Sequence, residues 1–103
     1  MTPEAKVKKA VKKILDERGV YYFMPATGGY GRSGVPDIVG CYKGMFFGIE
    51  CKAGDNMPTA LQLRELDRIQ RHEGYISIIN EKNLLQVEVM LDCIEAERNP
   101  PQD

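Results

Sequence analysis

Gly34-Val35-Pro36-Asp37-Ile38-Val39-Gly40-Cys41-Tyr42 runs through Lys43-Gly44 into Met45-Phe46-Phe47-Gly48-Ile49-Glu50-Cys51-Lys52. Asp37 to Tyr42 and Met45 to Lys52 are both of β type, and Lys43-Gly44 between them suits a tight antiparallel hairpin. Along the second run, residues two apart share a face, so Glu50 and Lys52 stand together while Ile49 and Cys51 point away. The hairpin places Asp37 on the strand next to Glu50, so two carboxylates and one ammonium converge. The plainer alternative makes Asp37 a strand-opening residue after a proline, and Glu50 and Lys52 a charged pair on an exposed strand face.

Outward from this hairpin the chain alternates helices and strands. Thr2-Pro3-Glu4 is a good helix start: Thr caps, Pro suits the first turn, and Glu complements the positive end of the helix dipole. Val7, Ala10, Val11, Ile14 and Leu15 follow at helical spacing up to Gly19. Glu4 lies on the same apolar stripe, and an acid there needs a reason. Lys6, Lys9 and Lys13 occupy the other face with Lys8 and Lys12 at its margins, either as a solvated face or as a phosphate track. Val20 to Met24 reads as a strand ended by Pro25. Residues 28–34, with four glycines, read as a flexible loop carrying Tyr30 and Arg32.

Beyond the hairpin, Thr59-Ala60-Leu61-Gln62 matches a capping box at the head of a second helix. Leu63, Leu66 and Ile69 form its expected buried stripe and Gly74 its stop. Tyr75 to Ile79 reads as a short strand. Asn80 is the expected cap of a last helix whose Leu84, Val87, Leu91 and Ile94 share a face. The sequence thus predicts one α/β domain over residues 1–98 with a disordered tail at 99–103. The element order is α-β-β-β-α-β-α around a central mixed β-sheet.

Length and composition bound the function. A chain of 103 residues holds one small core. Fourteen Lys and Arg against fifteen Asp and Glu exclude a polycation, so any contact with nucleic acid needs a local basic patch. No apolar run approaches the roughly 20 residues of a membrane span and Met1-Thr2-Pro3-Glu4 lacks a signal-peptide pattern, so the chain is expected to be intracellular, in the cytoplasm. Cys41, Cys51 and Cys93 form no CxxC pair and His72 is the one histidine, which supports three reduced thiols and neither disulfide nor zinc. No base is placed to activate a cysteine, and His72 reads as a surface residue.

Two neighbouring carboxylates repel unless a cation lies between them, and oxygen ligands favour a hard ion such as Mg²⁺ or Mn²⁺. Such an ion makes hydroxide available and neutralises phosphate charge, while a nearby Lys orients the attacking water. Phosphodiester hydrolysis is the matching reaction.

Taken together, Glu4 on the first helix, Gly34-Val35-Pro36-Asp37, Phe47-Gly48-Ile49-Glu50-Cys51-Lys52 and the early helical Gln62 resemble the PD-(D/E)XK nuclease superfamily. Within it they resemble the virus-type replication-repair nuclease (VRR-NUC) domain. The resemblance covers nearly the whole chain and implies a restriction-endonuclease-like fold. It implies that Asp37, Glu50 and the Cys51 backbone carbonyl bind the metal, that Lys52 activates water, and that Glu4 reaches the metal or its bound water. Gln62 is a polar residue beside the site, the capping-box amide, or both at once. Arg32, Tyr30, Gly31, Ser33, Lys8 and Lys12 are the expected DNA-binding residues, with a solvated loop as the alternative for Arg32 and Tyr30. Stand-alone members imply a homodimer that cleaves branched DNA such as Holliday junctions, in a phage or bacterial cell. The competing readings are a silent junction-binding module of the same fold and a restriction endonuclease, for which the chain leaves little base-reading surface.

Overall fold

The computed structural model describes residues 1–26 and 31–99. Helix α1 (Pro3–Glu17) starts as its first residues predict, with the Thr2 hydroxyl accepting from the Ala5 N–H at 3.1 Å. It presents Val7, Val11 and Leu15 to the core, and Gly19 beyond its end takes φ +65°. Strands β1 (Tyr21–Phe23), β2 (Ile38–Tyr42) and β3 (Met45–Cys51) form an antiparallel meander, and β4 (Tyr75–Ile79) joins β3 in parallel. The sheet is mixed, in the order β1-β2-β3-β4. The β2–β3 hairpin turns at Lys43 (φ 52°) and Gly44 (φ 84°), the two positive values that a two-residue turn of this hand requires.

Period-two alternation sorts β3 between two layers. Phe47, Ile49 and Cys51 join Ile38 in a core with Val7, Val11 and Leu15 of α1 and Val87, Met90, Leu91 and Ile94 of α3 (Leu85–Arg98). Gly48 and Glu50 face α2 (Ala60–Arg71) on the other side. Gly48 is required there: a Cβ would lie 2.8 Å from Ile69 Cδ1 and 3.0 Å from Pro36 Cγ.

Four expectations need correction. Asp37 sits in a bend before β2, and Lys52 lies one residue past β3, so both site residues flank the strands. Only Leu66 of the α2 stripe is buried, and Leu63 is 47% exposed, because α2 meets the sheet along a narrow line. Glu73, at φ 67°, rather than Gly74, takes the left-handed position after α2, while Gly74 is pressed against Ile69. The last helix starts at Leu85, not after Asn80. The Asn80 and Asn83 side chains instead tie a turn, accepting from the N–H groups of Lys82 (2.8 Å) and Asn80 (2.7 Å). Of the expected tail, only Asn99 is described.

Candidate active site

The β2–β3 register pairs Ile38 with Ile49, so the next step along the hairpin sets Asp37 opposite Glu50. Asp37 is anchored twice. Its Oδ2 accepts the Cys51 N–H at 2.8 Å, and its Oδ1 lies 3.5 Å from Lys8 Nζ. Cys51 therefore meets the site through its main chain. Its thiol is buried in the core and burial, then the charge of Asp37, pushes its pKa up to about 12, far from a nucleophile's range.

Glu50 is the anomaly. Its side chain is 1% exposed, Oε1 accepts only a long 3.4 Å hydrogen bond from Gln62 Nε2, and Oε2 has no partner among the described residues. Burial, then the neighbouring Asp37 carboxylate, raise its pKa to about 9 against the opposing pull of Lys52. A buried, unpaired carboxylate oxygen is costly, and such exceptions mark ligand or catalytic positions.

Gln62 makes both contacts that its position allows. Its Oε1 accepts from the Thr59 N–H at 2.8 Å, and the Thr59 hydroxyl accepts from the Gln62 N–H at 3.2 Å, completing the capping box. The amide nitrogen is thereby turned toward Glu50. Lys52 is half-buried beside Glu50, and its Nζ has no ion-pair partner among the described residues.

Glu4 lies at the rim, its Oε2 3.6 Å from Lys8 Nζ. Burial works against the Lys8 charge, but Asp37 and then Glu4 outweigh it and hold its pKa above the ordinary lysine value. Lys8, expected on an outer DNA track, is thus inside the acidic cluster. The signal that sequence reasoning passed over is the Glu4–Lys8 spacing, which joins acid and base across one helical turn. Lys12 is half-buried on the same helix.

In the loop before β2, Gly31 and Ser33 are exposed, and Arg32 Nη2 lies 2.8 Å from Glu65 Oε2 of α2. The guanidinium is therefore held by a carboxylate rather than free. Tyr30 lies outside the described residues. His72 is exposed and ends α2, as a surface residue.

Among the described residues, no three His, Cys, Asp or Glu side chains form a ready-made metal cage. Glu4 is drawn off to Lys8, which leaves Asp37 and Glu50 as the facing pair. Two carboxylates, one with an unsatisfied oxygen, fit a hard divalent ion that keeps several waters, Mg²⁺ being the type case.

A mixed sheet between helices, an acid before β2, an acid near the end of β3 and a lysine two residues on together define a nuclease of the PD-(D/E)XK superfamily. The family model of the archaeal Holliday junction resolvase (hjc) matches residues 5–73, about two thirds of the chain, from α1 through α2. The chain belongs to this family. The match takes in Lys8, Arg32, Asp37, Glu50, Cys51, Lys52 and Gln62, and stops one residue short of Glu4. It carries the superfamily and not the narrower VRR-NUC likeness. Curated proteins give no match. No helix among the described residues is long and apolar enough to cross a membrane.

Proposed function

We propose that the chain is a divalent-metal-dependent endodeoxyribonuclease that cuts four-way DNA junctions as a homodimer. The single observation that carries the chemistry is the buried, unpartnered Oε2 of Glu50 facing Asp37. Mg²⁺ or Mn²⁺ held by Asp37, Glu50 and the Cys51 carbonyl would supply charge neutralisation at the scissile phosphate and a more acidic water. Lys52, beside Glu50 and without an ion-pair partner among the described residues, orients the attacking water toward phosphorus and stabilises negative charge developing on the phosphate oxygens. Gln62 fixes the Glu50 carboxylate through a side chain that the capping box already immobilises. Glu4 acts from the rim on water. Lys12, Gly31, Ser33 and an Arg32 exchanged from Glu65 to phosphate contact the DNA backbone, and Tyr30 stacks on an unpaired base. A narrower VRR-NUC affinity rests on the same residues and predicts the same chemistry.

Support for the homodimer comes from the sheet face beyond α2. Tyr21 (70% exposed), Phe23 (51%) and Phe46 (48%) stand there uncovered, with exposed Cys41 between them in the ladder. A contiguous apolar sheet face of this kind marks an interface, and a second copy offers the same surface across a two-fold axis.

The test is cleavage of a labelled four-way junction, beside linear duplex, in Mg²⁺, Mn²⁺ or EDTA, for wild type and Lys52→Ala. Metal-dependent cutting of the junction that disappears in folded Lys52→Ala is the expected result. A junction that is bound and left intact in both metals would make the chain a silent binding module. Light scattering should give twice the protomer mass, and Phe46→Glu should return it to one.

A further inference from the structure

Lys8 is the lysine of α1 that, among the described residues, pairs with Asp37. Lys6, Lys9 and Lys13 are exposed, whereas the Lys8 side chain is 27% exposed and turned toward the acids. Its ammonium lies 3.6 Å from Glu4 Oε2 and 3.5 Å from Asp37 Oδ1. Both distances exceed the 2.7–2.9 Å of a tight charge-assisted hydrogen bond, so the seat is electrostatic and loose. Asp37 is meanwhile fixed from the other side by the Cys51 N–H, and cannot follow Lys8 outward. The oxygen on which Lys8 rests is therefore one of the few that a divalent ion between Asp37 and Glu50 would need.

We propose that Lys8 is the built-in counter-ion of the metal-free site: its ammonium holds Glu4 and Asp37 together and gives up Asp37 Oδ1 when a divalent ion enters. The proposal rests on the metal-dependent reading above. Two consequences follow from Coulomb's law at this separation. Without an ion, Lys8 keeps the acids from repelling one another apart. With an ion, it is a like charge that must move, so it lowers the affinity of the DNA-free protein for the metal. It also releases Glu4, which on losing its partner becomes available to the ion's water shell.

The experiment is calorimetric titration of Mn²⁺ into metal-stripped, DNA-free protein for wild type, Lys8→Met and Lys13→Met. Lys13 carries the same charge on the same helix but pairs with Glu17, away from the site. Lys8→Met should bind Mn²⁺ about three- to tenfold more tightly than wild type, and Lys13→Met within about twofold of it. The direction is informative, because damage to the site would weaken binding. Should Lys8→Met fail to fold, Lys8→Gln makes the same test with a polar neutral side chain. Affinity that is unchanged or weaker in the folded Lys8 variant, with wild type binding measurably, overturns the counter-ion role alone. Absence of Mn²⁺ binding in every variant overturns the metal reading and this proposal with it.

Discussion

Each end of α1 gathers carboxylates around a basic side chain, three around Arg18 and two around Lys8 with Glu50 next to Asp37, and the two groups differ in how far their charges are met. At the C-terminal end, Arg18 donates to Glu88 (2.8 Å), Asp92 (3.0 Å) and Glu95 (3.1 Å) of α3, and the Tyr42 hydroxyl also donates to Glu95. These acids are solvated, and Tyr42, then Arg18, hold the Glu95 carboxyl below its ordinary pKa. At the N-terminal end, Lys8 reaches Glu4 and Asp37 only at 3.5–3.6 Å, and Glu50 is buried with one oxygen unpaired. The first group is a satisfied strut between helices. The second stores unfavourable electrostatics that a cation would relieve, so what distinguishes a site is unmet valence rather than the number of acids.

The largest difference should appear in catalysis. Lys52→Ala or Asp37→Asn should lower junction cleavage by about 10³-fold or more, within the range for loss of a general acid–base or electrostatic group. Arg18→Ala should leave cleavage per folded molecule within about twofold. Equal losses from both clusters in a quenched-flow or gel assay would erase the comparison.

Stability should respond in the opposite sense. The Glu50 pKa is raised from 4.5 to about 9 on folding, so between those values the folded, metal-free protein holds a proton that the unfolded chain has lost. Its contribution is therefore complete at low pH and declines as pH rises through this window, by at most about 1.4 kcal/mol per unit. Glu50→Gln should flatten that slope and stabilise the protein in EDTA at pH 7 by up to about 3 kcal/mol. It should also abolish stabilisation by Mn²⁺. Urea melts at pH 5, 7 and 8.5 make the measurement, and a wild-type slope no steeper than that of Glu50→Gln would remove the stored cost. Arg18→Ala, by contrast, should destabilise by about 1–2 kcal/mol, less at high salt, because its partners are exposed.

The uneven legibility of the two clusters has a physical origin. Asp37, Glu50 and Lys52 were readable because a hairpin fixes register locally, and period two then decides which side chains meet. Gln62 was readable from a local capping box, though its second contact, to Glu50, depends on where α2 lands. The Arg18 cluster joins residues at opposite ends of the chain, and no local pattern announces that α1 and α3 are neighbours. The inward turn of Lys8 is not legible locally, because a margin position on a helix is turned inward or outward by its partner, here Asp37, and not by the helix itself. The exposure of Leu63 has the same origin: a helical stripe specifies a face, while the width of contact depends on the sheet. Arg32 was read by residue type alone, which could not reveal the carboxylate of Glu65 waiting on α2.

The finest distinction lies within one residue. Gln62 contributes to the fold through Oε1 and to the site through Nε2, and these functions separate chemically. Gln62→Ala removes both and should cost about 1 kcal/mol of stability. Gln62→Glu retains an N3 acceptor suited to the capping box and to the helix dipole, but loses the donor that meets Glu50. Its melting temperature should therefore stay near that of wild type while junction cleavage falls by about tenfold, roughly one hydrogen bond to a charged group. If Gln62→Glu instead keeps both stability and activity, the amide acts only as a cap, and the orientation of Glu50 must come from Asp37 and the walls of its pocket.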